Sequence, residues 1–318
     1  MTEAPVGTSL ATAVKQLTEG KLVAIPTETV YGLAGNALNI DAVVGIFEAK
    51  GRPRFDPLIV HVPSWEVAQN YVRDVPAQAA TLAHRFWPGP LTLLLPRNPI
   101  IPDIVTSGLD RVGLRCPDHP LTRELLAQLS FPLAAPSANA FGYVRPTTAA
   151  HVRQQLGRKI AYILDGGPCR IGIESTIVGW EEGQAIIYRL GGISVEQIES
   201  VLGPVTVRTH SSSKPQAPGQ LLRHYAPDKP FYLGDIDHLI QEHQLKNPGV
   251  LSFQKASSSY PNHFVLSESG DLHEAARNLF GMLRALDQLE VDGVVAEEVP
   301  EKGLGRAIND RLRRAATR

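Results

Sequence analysis

Apolar residues recur every three to four positions through residues 9–19, 41–50, 77–86 and 121–129, the spacing of helices that bury one face. Between them stand short, nearly unbroken apolar runs at 22–26, 58–62, 91–95, 112–115 and 133–135, as in strands covered on both sides. Gly20 and Gly51 follow the first two helical stretches, where a glycine closes a helix most readily. Beyond Thr148, a good N-cap type, the pattern predicts another helix, strands at 162–164, 176–178 and 185–189, and a helix over 195–202. The alternation predicts one large α/β unit over residues 1–206.

It stops at 207–228. Ser211 to Gly219 has no apolar period and cannot build a core, so a linker is expected. Its far end, Arg223-His224-Tyr225-Ala226-Pro227, carries an aromatic ring and basic groups that a plain spacer does not need, which predicts that the linker closes over a ligand site. Alternation resumes over 229–318, with strands expected at 231–233, 250–253, 264–266 and 294–297 and helices at 272–289 and 306–316. That predicts a smaller, Rossmann-like α/β unit.

Composition changes this picture little. With 43% hydrophobic and 20% charged residues, the 318-residue chain has the make-up of a soluble globular protein with room for two cores. A net charge of −1 excludes a generally basic nucleic-acid binder, so any RNA contact is local. Met1 to Gly7 lacks the features of a signal peptide and no apolar run reaches the roughly 20 residues of a spanning helix, so no membrane and a cytoplasmic location are expected. Two cysteines are too few for a disulfide framework, and the ten histidines show no metal-binding spacing, so no protein metal site is expected.

Polar motifs inside apolar surroundings carry the candidate chemistry. Lys50-Gly51-Arg52-Pro53-Arg54 puts three cations at a helix-to-strand turn, where anions are commonly held. A solvated helix end, with Lys50 at the negative pole of the helix dipole, is the alternative. Ser137 and Asn139 add a hydroxyl and an amide, and 26–33, 111–115, 172–178 and Tyr188-Arg189 are similarly polar. Together they look like a phosphate site without a P-loop. No nucleophile elbow and no convincing triad is visible.

These motifs, with Pro57-Leu58-Ile59-Val60-His61, Phe86-Trp87-Pro88-Gly89-Pro90-Leu91-Thr92, Glu174-Ser175-Thr176-Ile177-Val178 and the closing Asn309-Asp310-Arg311-Leu312-Arg313-Arg314-Ala315-Ala316, resemble in order the two-domain form of the YrdC family, the L-threonylcarbamoyladenylate synthases. The resemblance covers nearly the whole chain. It implies a large twisted, open, mixed sheet with helices, joined by a linker to the smaller α/β domain. It also implies a nucleotidyltransferase that joins L-threonine, bicarbonate or CO2, and ATP with Mg²⁺ into threonylcarbamoyl-AMP and pyrophosphate. The product would feed t6A37 formation on tRNA through downstream threonylcarbamoyl-transfer machinery.

Carried over by position, the resemblance puts ATP contacts on Arg52, Asp56, Arg111, Ala135, Ser137, Arg145, Arg189 and Tyr225, and L-threonine contacts on Thr29, His61, Arg115 and Ser175. Lys50, Arg52, Ser137 and Asn139 are the catalytic candidates, and Arg115 is the natural partner of the threonine carboxylate. The family often has asparagine at position 56 and threonine or serine at 111, so Asp56 and Arg111 are expected either to pair with each other or to meet ATP. An RNA-binding module for double-stranded RNA or tRNA is the alternative function. A carbamoyl phosphate-using relative ranks last, because its accessory segments are not visible. The basic tail, Arg311, Arg313, Arg314 and Arg318, reads as a solvated helix end, with an RNA contact as the alternative.

Overall fold

A computed structural model describes residues 3–209, 217, 225–255 and 260–317. Its first part runs β1 (Val6–Gly7), α1 (Leu10–Thr18), β2 (Val23–Ile25), β3 (Gly32–Asn36), α2 (Ile40–Lys50), β4 (Ile59–His61), α3 (Trp65–Ala68), α4 (Ala77–Phe86), β5 (Leu91–Pro96), α5 (Asp103–Thr106), β6 (Arg111–Arg115), α6 (Pro120–Gln128), β7 (Leu133–Ala134), α7 (Ala149–Leu156), β8 (Tyr162–Leu164), β9 (Thr176–Glu181), β10 (Gln184–Arg189), α8 (Val195–Leu202) and β11 (Thr206–Val207). The second runs β12 (Phe231–Leu233), α9 (Ile236–Glu242), β13 (Pro248–Ser252), β14 (Asn262–Val265), α10 (Leu272–Gln288), β15 (Gly293–Ala296) and α11 (Gly305–Ala315).

Local chemistry explains most boundaries. Ser9, Asn39, Thr148 and Ser194 each accept a backbone N–H from the first turn of α1, α2, α7 and α8. Gly51 ends α2 in the left-handed conformation, φ 62°, which turns the chain straight into the cationic segment. β3 was not expected, because Gly32-Leu33-Ala34-Gly35-Asn36 has little strand propensity. Pairing explains it, since β2 and β7 run along its two edges, and at Gly35 an added Cβ would lie 3.1 Å from Leu22 and 3.3 Å from Ile46, so a small residue suits the close packing of α2 there.

The strands of the first part form one mixed sheet in the order β1-β8-β2-β3-β7-β4-β6-β5-β9-β10-β11. β4 and β6 run parallel with His61 opposite Arg115 and Ile59 opposite Gly113. Alternation sends Val60 and Leu114 into the main core and leaves Ile59, His61 and Arg115 on the other face. The candidate site therefore sits on a face of the sheet near its strand ends.

In the second part all four strands are parallel, in the order β12-β15-β13-β14, with α10 and α11 packed together. On α10 the buried Leu279, Phe280, Leu283 and Leu286 follow a helical period. Each is worth about 1.5–3 kcal/mol of apolar burial. The same core takes in Val30, Val144 and Ile173 from the first part, so the two units share apolar packing. The backbones approach closely at Gly172, φ 83°, where an added Cβ would lie 2.4 Å from Arg277 Cα and 2.6 Å from the Ala276 carbonyl oxygen. Gly172→Ala is expected to destabilise the protein by about 1–2 kcal/mol from the left-handed backbone alone, with the clash adding to it. A denaturant midpoint equal to that of the parent would refute this account of the interface.

The tail is not solvated. Arg311 has no exposed side-chain surface and Arg314 only 3%, because Asp310 and Glu174 provide counter-charges, whereas Arg313 is half exposed. Arg318 lies outside the described residues. No helix among the described residues is long and apolar enough to cross a membrane.

Candidate active site

β4 brings Ile59 and His61, β6 brings Arg115, the turn after β7 brings Ala135, Pro136 and Ser137, and β10 brings Arg189 to one cavity of about 50 Å³. Arg52, Arg145 and Glu174 complete its polar wall. Four guanidinium groups thus face one lining carboxylate, which makes a polyanion the natural occupant. Small-molecule pockets commonly run to about 300–1,000 Å³, so the cavity as it stands is smaller than a typical ligand site.

The arginines are held in place by the fold. Arg52 donates from Nε to the Asp56 carbonyl at 3.1 Å and from Nη2 to the Pro57 carbonyl at 2.8 Å, and Nη2 lies 2.9 Å from Asp56 Oδ2. Asp56 therefore pairs with Arg52 and not with Arg111. Arg111 donates to Tyr188 Oη at 3.1 Å and lies over the Tyr188 ring. Burial raises the Asp56 carboxyl pKa, opposed by Arg52, Arg145, Lys50 and Arg189. Neither Asp56 oxygen has a well-aligned hydrogen-bond donor, so its compensation is electrostatic.

Lys50 stands behind the cavity wall. Its ammonium donates to the Ser137 and Asn139 carbonyls at 2.5 and 2.6 Å, tying the end of α2 to the turn that presents Ser137. Burial, with Arg145 and Arg52 nearby, holds its pKa well below the usual lysine range. Asn139 likewise turns its amide inward, donating to the Ala140 and Tyr143 carbonyls at 2.6 and 3.0 Å while its Oδ1 accepts from Arg145 at 3.4 Å. Arg54, the third cation of the cluster, is exposed.

A second group of contacts surrounds Arg115. Its Nη2 donates to Thr29 Oγ1 at 2.8 Å and lies 2.7 Å from Glu28 Oε1, while Thr27 and Thr29 share a hydrogen bond of 2.8 Å. Ser175 Oγ accepts from Arg189 Nη2 at 2.9 Å and sits 2.8 Å from Thr92 Oγ1. Burial lowers the Arg189 pKa to about 10, so the group stays charged at neutral pH.

His61 Nδ1 is buried without a partner. Burial and then Arg115 lower the ring's pKa to about 3. A folded-state value below the unfolded one means that the neutral ring's contribution to stability is present above about pH 6.5 and is lost as pH falls toward 3. The ring shifts of His61 in NMR are expected to stay flat between about pH 5 and 8. A transition near 6.5 would contradict this.

The guanidinium carbons of Arg145 and Arg311 lie 4.8 and 5.4 Å from the centre of the Tyr225 ring, which stacks on Phe280 at 5.7 Å. Ala217 is buried against Ile59, Ile177 and Tyr188. Arg223, His224 and the segment Gln220-Leu221-Leu222 lie outside the described residues.

Residues 15–191 match the Sua5/YciO/YrdC family model, described as "Telomere recombination", and residues 193–317 match "Threonylcarbamoyl-AMP synthase, C-terminal domain". The chain belongs to the threonylcarbamoyl-AMP synthase family. Among its relatives, the Pyrococcus abyssi threonylcarbamoyl-AMP synthase is 43% identical, over 94% of this chain and 91% of that protein. The Bacillus subtilis threonylcarbamoyl-AMP synthase is also 43% identical, over 96% and 92%. A crystal structure of P. abyssi Sua5 complexed with L-threonine has a TM-score of 0.92 at 40% identity, covering 99% of this chain and 98% of that one. HypF, at 23% identity and TM-score 0.51, shares the fold over 58% of this chain.

For a member of the threonylcarbamoyl-AMP synthase family, the residues that sequence reasoning missed are the buried carboxylates and one distant arginine. Glu28 and Glu174 both stand inside recognised motifs, and the signal was electrostatic: so many buried arginines require counter-charges. Burial alone would raise the Glu174 pKa, yet Arg311, Arg145 and Arg189 bring it well below the usual range. Arg311 reaches this site from α11, a connection that only the packing of the two units makes visible.

Proposed function

We propose that the chain makes threonylcarbamoyl-AMP from L-threonine, bicarbonate or CO2, and ATP, as a nucleotidyltransferase that serves t6A37 formation on tRNA in the cytoplasm. The observation that carries the proposal is the wall of four guanidinium groups on a cavity that also presents His61, Ser137 and Ala135. The family to which the chain belongs supports it. The neutral threonine amine attacks CO2 and gives up a proton to solvent to form a carbamate, and a carbamate oxygen then attacks the α-phosphate of ATP as the bond to pyrophosphate breaks. The protein's work is to hold the reactants in line and stabilise charge on the phosphates.

Arg115 receives the threonine carboxylate, and Thr29, His61 and Ser175 hydrogen-bond the amino acid. Arg52, Arg145 and Arg189 meet the phosphates, with Ser137, the Ala135 backbone, Asp56, Arg111 and Tyr225 completing the nucleotide contacts. Lys50 and Asn139 support catalysis by holding the Ser137 turn and Arg145, as their hydrogen bonds suggest. Mg²⁺ enters as part of the Mg-ATP substrate. No group of three or more His, Cys, Asp or Glu side chains able to hold a metal is gathered among the described residues, so no protein ligand is assigned to it. Working divisions are residues 1–206 for catalysis, 207–228 as the linker over the site and 229–318 as the smaller domain. Downstream transfer machinery takes the product to tRNA. Arg311 and Arg314, engaged with Glu174 and Asp310, are poorly placed to serve a separate RNA-binding role.

The test is pyrophosphate release from Mg-ATP with L-threonine and bicarbonate each supplied or withheld. Release that needs both, with a new threonine-containing adenylate on chromatography, is expected. Release independent of threonine would overturn the proposal.

A further inference from the structure

We propose that Arg311, on the smaller domain, is a positioning residue for the nucleotide half of the site, acting through Glu174 on Arg145. The inference rests on the proposal that Arg145 meets ATP. Arg311 Nε and Nη2 both donate to Glu174 Oε2, at 3.2 and 3.1 Å, while Glu174 Oε1 accepts from Arg145 Nε at 3.0 Å. One carboxylate thus bridges a guanidinium from each unit. Arg311 itself does not line the cavity. Its Nη1 donates to Asp310 Oδ2 at 3.0 Å, and Asp310 Oδ1 accepts from Arg314 at 3.0 Å, so the guanidinium is fixed on its own helix. The smaller domain also grips the backbone at the same place: Arg284 of α10 donates to the Arg145 and Val144 carbonyls at 3.1 and 2.5 Å.

Of the L-threonine contacts, Arg115, the partner proposed for the carboxylate, has a support of its own, whereas Ser175 follows Glu174 in the chain and shares Arg189 with the nucleotide half. Arg115 is held by Glu28 and Thr29, and Ser175 by Thr92 and Arg189. Loss of the Arg311 link should therefore weaken ATP use more than L-threonine use. A residue that merely stabilised the fold would lower the active fraction and leave both KM values alone.

Arg311→Gln and Arg311→Lys in the full chain are compared with the parent by varying ATP and L-threonine separately in the pyrophosphate assay, and by calorimetric titration of Mg-ATP. Arg311→Gln is expected to raise the ATP KM and Kd about tenfold or more, with the L-threonine KM within about twofold and Arg311→Lys intermediate. Should Arg311→Gln fail to fold, Arg311→Lys carries the same test, since it keeps the charge and loses the two-nitrogen grip. Glu174→Gln combined with Arg311→Gln should lose no more ATP affinity than Glu174→Gln alone, because both cut one link. Unchanged ATP KM and Kd, or losses that multiply, would overturn the inference while leaving the synthase activity standing. If the parent shows no threonine-dependent release, the proposed function fails, and the Mg-ATP titration still decides on Arg311.

Discussion

Arg52→Ala is expected to lower threonine-dependent pyrophosphate release by about 10- to 150-fold, the worth of one lost charge-assisted hydrogen bond of about 1.5–3 kcal/mol. It should also destabilise the fold by about 3–5 kcal/mol, because Asp56, with no exposed side-chain surface, would keep a buried charge without its partner. The two effects separate in Arg52→Ala combined with Asp56→Asn, which removes the stranded charge and still lacks the guanidinium proposed to meet the phosphates. Stability should recover and activity should not. Recovery of both would show Arg52 to be only a counter-ion, and unchanged turnover in Arg52→Ala would remove it from the proposed phosphate contacts.

Glu174→Ala should cost about 3–5 kcal/mol of stability at pH 7, since it strands Arg145 and Arg311 beside a cavity that already carries Arg189. The pH dependence has a definite sign. Despite the penalty of burial, Arg311, Arg145 and Arg189 hold the folded-state pKa of Glu174 well below its ordinary 4.5. Its contribution is therefore fully present above about pH 4.5 and is lost as pH falls through the depressed folded value. Denaturant unfolding at neutral and acid pH should show a flatter acid limb in Glu174→Gln than in the parent. Equal limbs would mean that the bridge contributes nothing to acid stability.

Much of the fold was legible in the chain. The helices at 77–86 and 195–202 stand where the apolar period put them, because amphipathic period and end signals are local properties. β3 was illegible for the opposite reason: Gly32 to Asn36 becomes a strand because β2 and β7 pair with its two edges. In the site, Arg52, His61, Arg115, Ser137, Arg145 and Arg189 do converge on one cavity, along with Ala135. Lys50 and Asn139 stand one layer behind, holding the turn.

By itself the sequence determined the α/β alternation, the break after the large unit and the set of cationic and hydroxyl side chains from which the family could be recognised. These depend on residue type and short-range spacing. Only the tertiary structure decided which charges meet. Asp56 turned to Arg52 and away from Arg111, Lys50 turned to two carbonyls, and Arg311 crossed from the smaller domain to Glu174. The physical reason is that a buried charge must find a counter-charge or hydrogen-bond partner within a few ångströms in space, a requirement that separation along the chain does not record.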